Sequence, residues 1–356
     1  MKNLLLILAI WLVSLNLLAQ APAGYYNNAE GKSGATLKTA LFGIIGNHTV
    51  RTYTQLWTDF QTTDKRADGY VWDMYSSYNF VFGTNQDNGS GGSNEGEKYN
   101  REHSFPNSWF GGLQSSPMYT DLFHMYPTDK KVNNVRSNYI YGKVQTPSYT
   151  SSNGNKLGTA DPASGFTGTV FEPIDAYKGD FARTYFYMAT CYEDKIASWK
   201  SYNTEASNAI LDGNSFPAYK AWYVQLLLKW SNDDPVSDKE IARNNAVYGI
   251  QNNRNPYIDH PEYAEAVWST TSAIGEVTAS TISIYPNPAT SEFTIELPNG
   301  KPFTAEIYNL TGKCVKRSAD LNSGETIQVS ELNSGIYLVK ITSNKTVIVK
   351  KITIQK

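Results

Sequence analysis

Residues 99–112 read YNREHSFPNSWFGG. Arg101, Glu102 and His103 stand together, followed by Pro106 and by the flexible pair Gly111–Gly112. Glu102 offers the hard carboxylate oxygens that magnesium takes. His103 is the natural general base near neutral pH. Neighbours on a regular strand point to opposite faces, so both reach one site only if the backbone bends there or Glu102 approaches from behind His103. Pro106 works against continued regular structure, consistent with a strand end. Taken alone, the pair also fits a surface ion pair or a hydrogen-bonded core histidine.

Downstream, residues 121–142 read DLFHMYPTDKKVNNVRSNYIYG. Asn133 and Arg136 are three apart and share a face if the segment is helical. An asparagine carbonyl with a glutamate carboxylate makes a sparse, hard donor set. It leaves most positions around a divalent ion to water and phosphate oxygens. Arg136 would neutralise phosphate charge. Lys130, Lys131, Arg136 and Lys143 make this the most basic stretch near the motif. A polar, solvated helix is the competing reading.

Further out, Leu37, Ala40, Leu41, Ile44 and Ile45 recur at helical spacing. Residues 181–192 (FARTYFYMATCY) and 218–230 (AYKAWYVQLLLKW) read as helices, the first buried on more than one face. Ser237-Asp238-Lys239-Glu240 has the form of a capping box and opens a helix toward Tyr248. Stretches 83–96 and 148–158, rich in Gly, Ser and Asn, read as exposed loops. Asp73 is a candidate support for the site, with packing the simpler role. His260 follows Asp259, which could orient it, with a helix-entry turn in a capping role as the simpler reading.

Residues 1–20 combine a short basic start, an apolar run to Leu18 and small residues around Ala19, the pattern of a secretory signal peptide. No later stretch is apolar enough to span a bilayer. Cys191 and Cys314 are the two cysteines of the chain, and they fall in separate regions. Stability must therefore come from a core rather than from bridges. The net charge is -2, so a strong overall basic footprint is missing. That argues against tight retention of nucleic acid more than against an enzyme that releases product. The 25 tyrosines supply half-buried rings, some of them available to stack on bases.

After Trp268 the composition changes. Residues 269–283 read as a Ser/Thr/Ala-rich linker. From Ile284 onward, runs of period two (FTIEL, TAEIYNL, IYLVKIT, TVIVKKITI) alternate with turns such as PNGK and LNSGE. That is a small all-β sandwich without a catalytic constellation.

The ordered motifs YNREHSFPNSWF, DLFHMYPTDKKVN, KGDFARTYFYM, KWSNDDPVSDKEIARN and QNNRNPYIDHPEYAEAVW resemble the endonuclease I family of secreted and periplasmic nucleases, which carry a ββα-metal (His-Me finger) site. The resemblance implies an α+β fold: a mostly helical catalytic domain over 21–268 carrying a ββα-metal core, then the β-sandwich over 284–356. It implies that Glu102 and Asn133 ligate one divalent ion, magnesium, with substitution by manganese or calcium left open. It implies that His103 deprotonates the attacking water, and that Arg136 and Arg183 are phosphate-binding or structural arginines. Products would carry 5′-phosphate and 3′-hydroxyl ends, with DNA, RNA or both as substrate. The better-studied branch has D-L-H-N where this chain has Asp121-Leu122-Phe123-His124, which leaves His124 as a candidate orienting residue. That branch also has an arginine in an insert after the histidine. No lysine or arginine lies between His103 and Lys130 here, so Arg101 is the candidate substitute, with Lys130 and Lys131 as further substrate contacts.

The tail, with Tyr285-Pro286-Asn287-Pro288, residues 332–340 (LNSGIYLVK) and a basic end, is similar to the C-terminal sorting domain of the type IX secretion system of Bacteroidetes. It implies the secretion machinery as partner and a secreted or cell-surface location. Two other classes compete: a noncatalytic adhesive or binding protein on a nuclease scaffold, and a metal-dependent phosphatase acting on small phosphoesters.

Overall fold

Leu37, Leu41 and Ile45 lie on the buried side of helix α1 (Gly34–Ile45), as their spacing requires. The computed structural model describes residues 21–202, 205–269, 282–297, 302–343 and 346–356. The chain divides into two units, 1–269 and 270–356. The expected signal peptide and most of the expected linker lie outside the described residues.

In the first unit, α2 (Leu56–Thr63) follows α1. Strands β1 (Tyr99–His103) and β2 (Met125–Asp129) pair antiparallel, and α3 (Lys130–Arg136) leaves β2 without a gap. A second sheet holds β3 (Val144–Thr150), β4 (Lys156–Ala160) and β5 (Thr169–Glu172) in sequence order. Six helices follow: α4 (Lys178–Cys191), α5 (Glu193–Trp199), α6 (Glu205–Ile210), α7 (Ala221–Asp233), α8 (Asp238–Gln251) and α9 (Pro256–Asp259). The unit closes with α10 (Glu262–Trp268).

Helix α4 is buried from Gly179 to Cys191, the all-round burial that its aromatic content suggested. The capping box of α8 is present: Ser237 accepts from the Glu240 backbone N–H, and Glu240 accepts from the Ser237 backbone N–H. Glu240 also takes the buried guanidinium of Arg183 at 2.6 and 2.8 Å, so one carboxylate starts α8 and ties it to α4. Two further buried pairs, Arg243–Asp64 and Arg136–Glu102, knit the same interior.

One expected loop is in fact a hairpin. Residues 148–158 belong to β3 and β4, with the turn closed by the Ser151 N–H donating to the Asn155 carbonyl at 2.8 Å. Most of β3 is exposed, so no alternating apolar pattern announced it. The stretch 83–96 is free of helix and strand, as read, and the Glu97 carboxylate gathers the backbone N–H groups of Gly92, Ser93 and Asn94.

The second unit is all-β. A three-stranded sheet has the order β10 (Thr326–Gln328), β7 (Glu292–Glu296), β6 (Ser283–Tyr285). A four-stranded sheet has the order β12 (Thr346–Ile354), β11 (Gly335–Ser343), β8 (Phe303–Tyr308), β9 (Cys314–Leu321). Alternate residues such as Phe293, Ile295, Ala305, Ile307, Val339 and Ile341 form one core between them. Among the described residues, no helix is long and apolar enough to cross a membrane.

Candidate active site

Asp129 ends β2 and caps α3: its Oδ1 accepts from the backbone N–H groups of Lys131 at 2.8 Å and Val132 at 3.1 Å. The cap fixes where the helix begins, and therefore where Asn133 and Arg136 stand over β1. Asn133 Nδ2 donates to Asn100 Oδ1 on β1 at 2.9 Å. With the amide nitrogen so engaged, Oδ1 takes no protein hydrogen bond among the described residues.

Glu102 is 3% exposed. Both of its side-chain donors fall on Oε1: the Tyr75 hydroxyl at 2.8 Å and Arg136 Nη1 at 2.7 Å. Oε2 has no side-chain donor among the described residues. Burial raises the carboxyl above its ordinary value, and the Arg136 guanidinium opposes this.

His103 ends β1 on the opposite side. Its Nε2 faces the Tyr119 carbonyl at 2.9 Å, so that nitrogen carries the proton and donates. Nδ1 is left as the acceptor, with Asn107 Nδ2 at 3.5 Å. The ring is parallel to Tyr53 at 6.1 Å and 17°. Burial, helped by His124, pushes the imidazole down to about 3, so the ring is neutral at physiological pH.

Glu102, His103, Asn133 and Arg101 line one cavity of about 310 Å³, completed by Tyr53, Asn107 and Asn134 among others. The alternation problem is resolved at the strand end. Glu102 faces α3, His103 faces Tyr53 and Tyr119, and the cavity reaches both. A carboxylate oxygen and an amide oxygen, each without a side-chain donor among the described residues, fit a hard divalent cation. Arg101 lies with its guanidinium 3.5 Å from the centre of the Tyr53 ring and 4.3 Å from that of Trp57, and Nη1 donates to the Tyr53 carbonyl at 2.6 Å.

Other expected site residues lie elsewhere. Arg136 is fully buried. It donates to Glu102, to the His103 carbonyl at 2.9 Å and to the Ser104 carbonyl at 2.6 Å, and it stands over the Tyr141 ring. It brackets the end of β1 and does not line the cavity. Arg183 is buried against Glu240, Ser231 and the Asp234 carbonyl and does not line the cavity. Lys130 is paired with Asp87 at 2.9 Å, and neither it nor Lys131 lines the cavity. His124 is fully buried with Nε2 committed to the Met118 carbonyl. The hydrogen-bond partner of His103 Nε2 is the Tyr119 carbonyl rather than His124. His260 is held by Glu262 at 3.0 Å, because Asp259 is taken by Tyr26 and Arg254.

Sequence reasoning missed Tyr53, Tyr75 and Asn107. Asn107 stood in the quoted motif, whereas Tyr53 and Tyr75 arrive from elsewhere in the chain without any local signal. Asp73, buried and pushed up to about 7 by desolvation, accepts from the backbone N–H groups of Tyr75 at 2.7 Å and Asp129 at 3.1 Å. It thus joins the Tyr75 loop to the start of α3, the supporting role that was one of its two readings.

A second group of potential metal ligands, His48, Asp121 and Cys191, lies in the interior. Asp121 is already saturated. Its Oδ2 accepts from Tyr187 and Tyr192, and its Oδ1 from Gln251 and the Phe123 N–H. That arrangement serves packing, with no lone pair left over for an ion.

Residues 33–262 match the family model described as endonuclease I, and residues 283–355 match a secretion system C-terminal sorting domain. The chain is 34% identical over 247 residues to an extracellular ribonuclease of Bacillus amyloliquefaciens and 35% identical to that of Bacillus subtilis. Each alignment covers 68% of this chain and 78% of the relative. An endonuclease-1 of Buchnera aphidicola is 30% identical over 139 residues, covering 39% of this chain and 46% of that one. The chain belongs to the endonuclease I family. It is a secreted nuclease acting on nucleic acid, with a C-terminal domain addressed to the type IX secretion machinery.

Proposed function

We propose that this nuclease is a magnesium-dependent, largely sequence-nonspecific endonuclease of the His-Me finger type, cutting DNA, RNA or both to leave 5′-phosphate ends. The observation that carries this reading is the meeting of Glu102, His103 and Asn133 around one polar cavity at the end of the β1–β2–α3 unit. Glu102 Oε2 and Asn133 Oδ1 would hold the ion. Bound there, a magnesium ion supplies positive charge against the phosphate and the departing 3′-oxygen.

The chain's own residues supply the rest. Tyr75 and Arg136 pin Oε1 of Glu102, which turns the other oxygen to the cavity. The Tyr119 carbonyl keeps the His103 proton on Nε2 and leaves Nδ1, met by Asn107 Nδ2 at a long 3.5 Å, as the acceptor that takes a proton from water. An incoming phosphodiester places negative charge beside the ring and raises its proton affinity from the depressed value. Arg101, held against the Tyr53 and Trp57 rings, offers its remaining N–H groups to the phosphate. Contacts of this kind address the backbone and read little sequence. Residues 1–20 would direct export across the inner membrane, and the C-terminal domain would direct export across the outer one.

The purified protein is expected to degrade plasmid DNA or RNA with magnesium and to leave both intact in chelator. His103→Ala should abolish cleavage. Undiminished activity in that variant would remove His103 as the base, and no cleavage at any divalent metal concentration would return the protein to the binding class.

A further inference from the structure

A second cavity, of about 460 Å³, shares Ser137 and Asn138 with the reaction cavity and is lined further by Tyr139, Phe166, Thr169 and Glu205. We infer that this cavity is a subsite for an unpaired nucleobase of the nucleotide next to the scissile phosphate, with Tyr139 as its stacking platform. The inference rests on the reaction centre proposed above and adds how the substrate is held.

Tyr139 is 40% exposed. Among the described residues its ring meets no other aromatic ring and its hydroxyl has no hydrogen-bond partner, in a unit where most rings are packed against others. An exposed ring at the rim of a cavity is a surface for another flat group. Phe166 provides a second ring, backed by Trp222 at 5.5 Å and 6°. Among the described residues no lysine or arginine lines the cavity, while Glu205 does. A phosphate is repelled there, and a neutral heterocycle is accepted. Stacking of this kind tolerates every base, in keeping with low sequence preference.

The join between the cavities is itself unusual. Ser137 closes α3 with φ 51° and ψ -123°, a conformation that suits glycine, and its N–H donates to the Asn133 carbonyl at 2.9 Å. This turn takes the backbone directly from the Asn133 helix to Tyr139. A strand whose phosphate sits over Asn133 therefore has its neighbouring base beside Tyr139.

The test uses the full chain with magnesium and short single-stranded oligonucleotides that contain one cleavable linkage, all others being methylphosphonates. One substrate is complete, and two others lack the base on the 5′ or the 3′ side of that linkage. For the complete substrate, Tyr139→Ala should raise KM roughly tenfold with kcat little changed, and Tyr139→Phe should match the wild type. With one of the two abasic substrates, wild type and Tyr139→Ala should become equal. An equal KM increase on all three substrates, or none on the complete one, overturns the subsite. His103→Ala separates the two readings: if it still cleaves, the reaction centre is elsewhere and the subsite falls with it. If it is inactive while Tyr139→Ala behaves as wild type, the subsite alone falls. Among the described residues Tyr139 makes no side-chain hydrogen bond or ring contact whose loss threatens folding, and thermal unfolding of the variant checks this.

Discussion

Arg136→Met tests whether the arginine of the VNNVRS segment holds the fold or the substrate. The wild-type guanidinium is fully buried, and Nη1 and Nη2 donate to Glu102, the His103 carbonyl and the Ser104 carbonyl, while Nε has no partner among the described residues. Methionine fills similar volume and donates nothing. Glu102 would then be a buried carboxylate with the Tyr75 hydroxyl as its remaining side-chain donor, and the His103 carbonyl would lose its arginine donor. Removing one partner of a buried ion pair costs about 3–5 kcal/mol. Set against a total of about 5–15 kcal/mol for a typical domain, that is a large fraction. The measurement is urea unfolding followed by circular dichroism, on wild type, Arg136→Met, Glu102→Gln and the double variant. Because Gln leaves no stranded charge, the double variant should recover part of the loss, with a coupling of about 1–3 kcal/mol. A loss below about 1 kcal/mol for Arg136→Met would refute the bracket. So would wild-type stability combined with a raised KM and a shallower dependence of KM on salt, since that is the behaviour of a phosphate contact.

Three further outcomes are expected. His103 has a folded-state value of about 3, below its unfolded value, so its contribution to stability is full above about pH 6.5 and is lost as the pH falls. Between pH 7 and 5 the wild type should lose about 2 kcal/mol more than His103→Gln in urea titrations, and parallel curves would contradict the assignment. Arg101→Ala should raise KM for polymeric substrate and reduce the slope of log KM against log salt by somewhat under one unit, and an unchanged slope would remove Arg101 from the phosphate. Cys314 is exposed and Cys191 is buried with its thiol raised by desolvation, so a maleimide should label the native chain once and the unfolded chain twice by mass spectrometry.

The sequence carried the features that are local. Helix α8 was legible because Ser237 and Glu240 form a capping box within four residues, and α4 because its aromatic run is dense. Glu102, His103 and Asn133 were legible because they belong to recognisable short motifs. The β3–β4 hairpin was missed because its first strand is mostly exposed and is built from Ser, Thr, Pro and Gln, which read as loop. Strand β2 is buried at every position, so it too lacks an alternating pattern. Arg136 and Arg183 were left open between phosphate contact and structural pairing. An arginine in a sequence says nothing of whether its charge faces a ligand or a buried carboxylate, and only the fold decides. Tyr53 and Tyr75 reach the site from other parts of the chain, so no spacing rule could find them.

The interior of the first unit is fastened by guanidinium–carboxylate pairs, Arg136 to Glu102, Arg183 to Glu240 and Arg243 to Asp64. Arginine keeps its charge at any pH a cell or its surroundings present. Such fastenings close as soon as the chain collapses, with no electron acceptor and no thiol-exchange catalyst. A protein that completes its folding during or after export can therefore mature in oxidising and reducing surroundings alike, whatever its host's envelope provides.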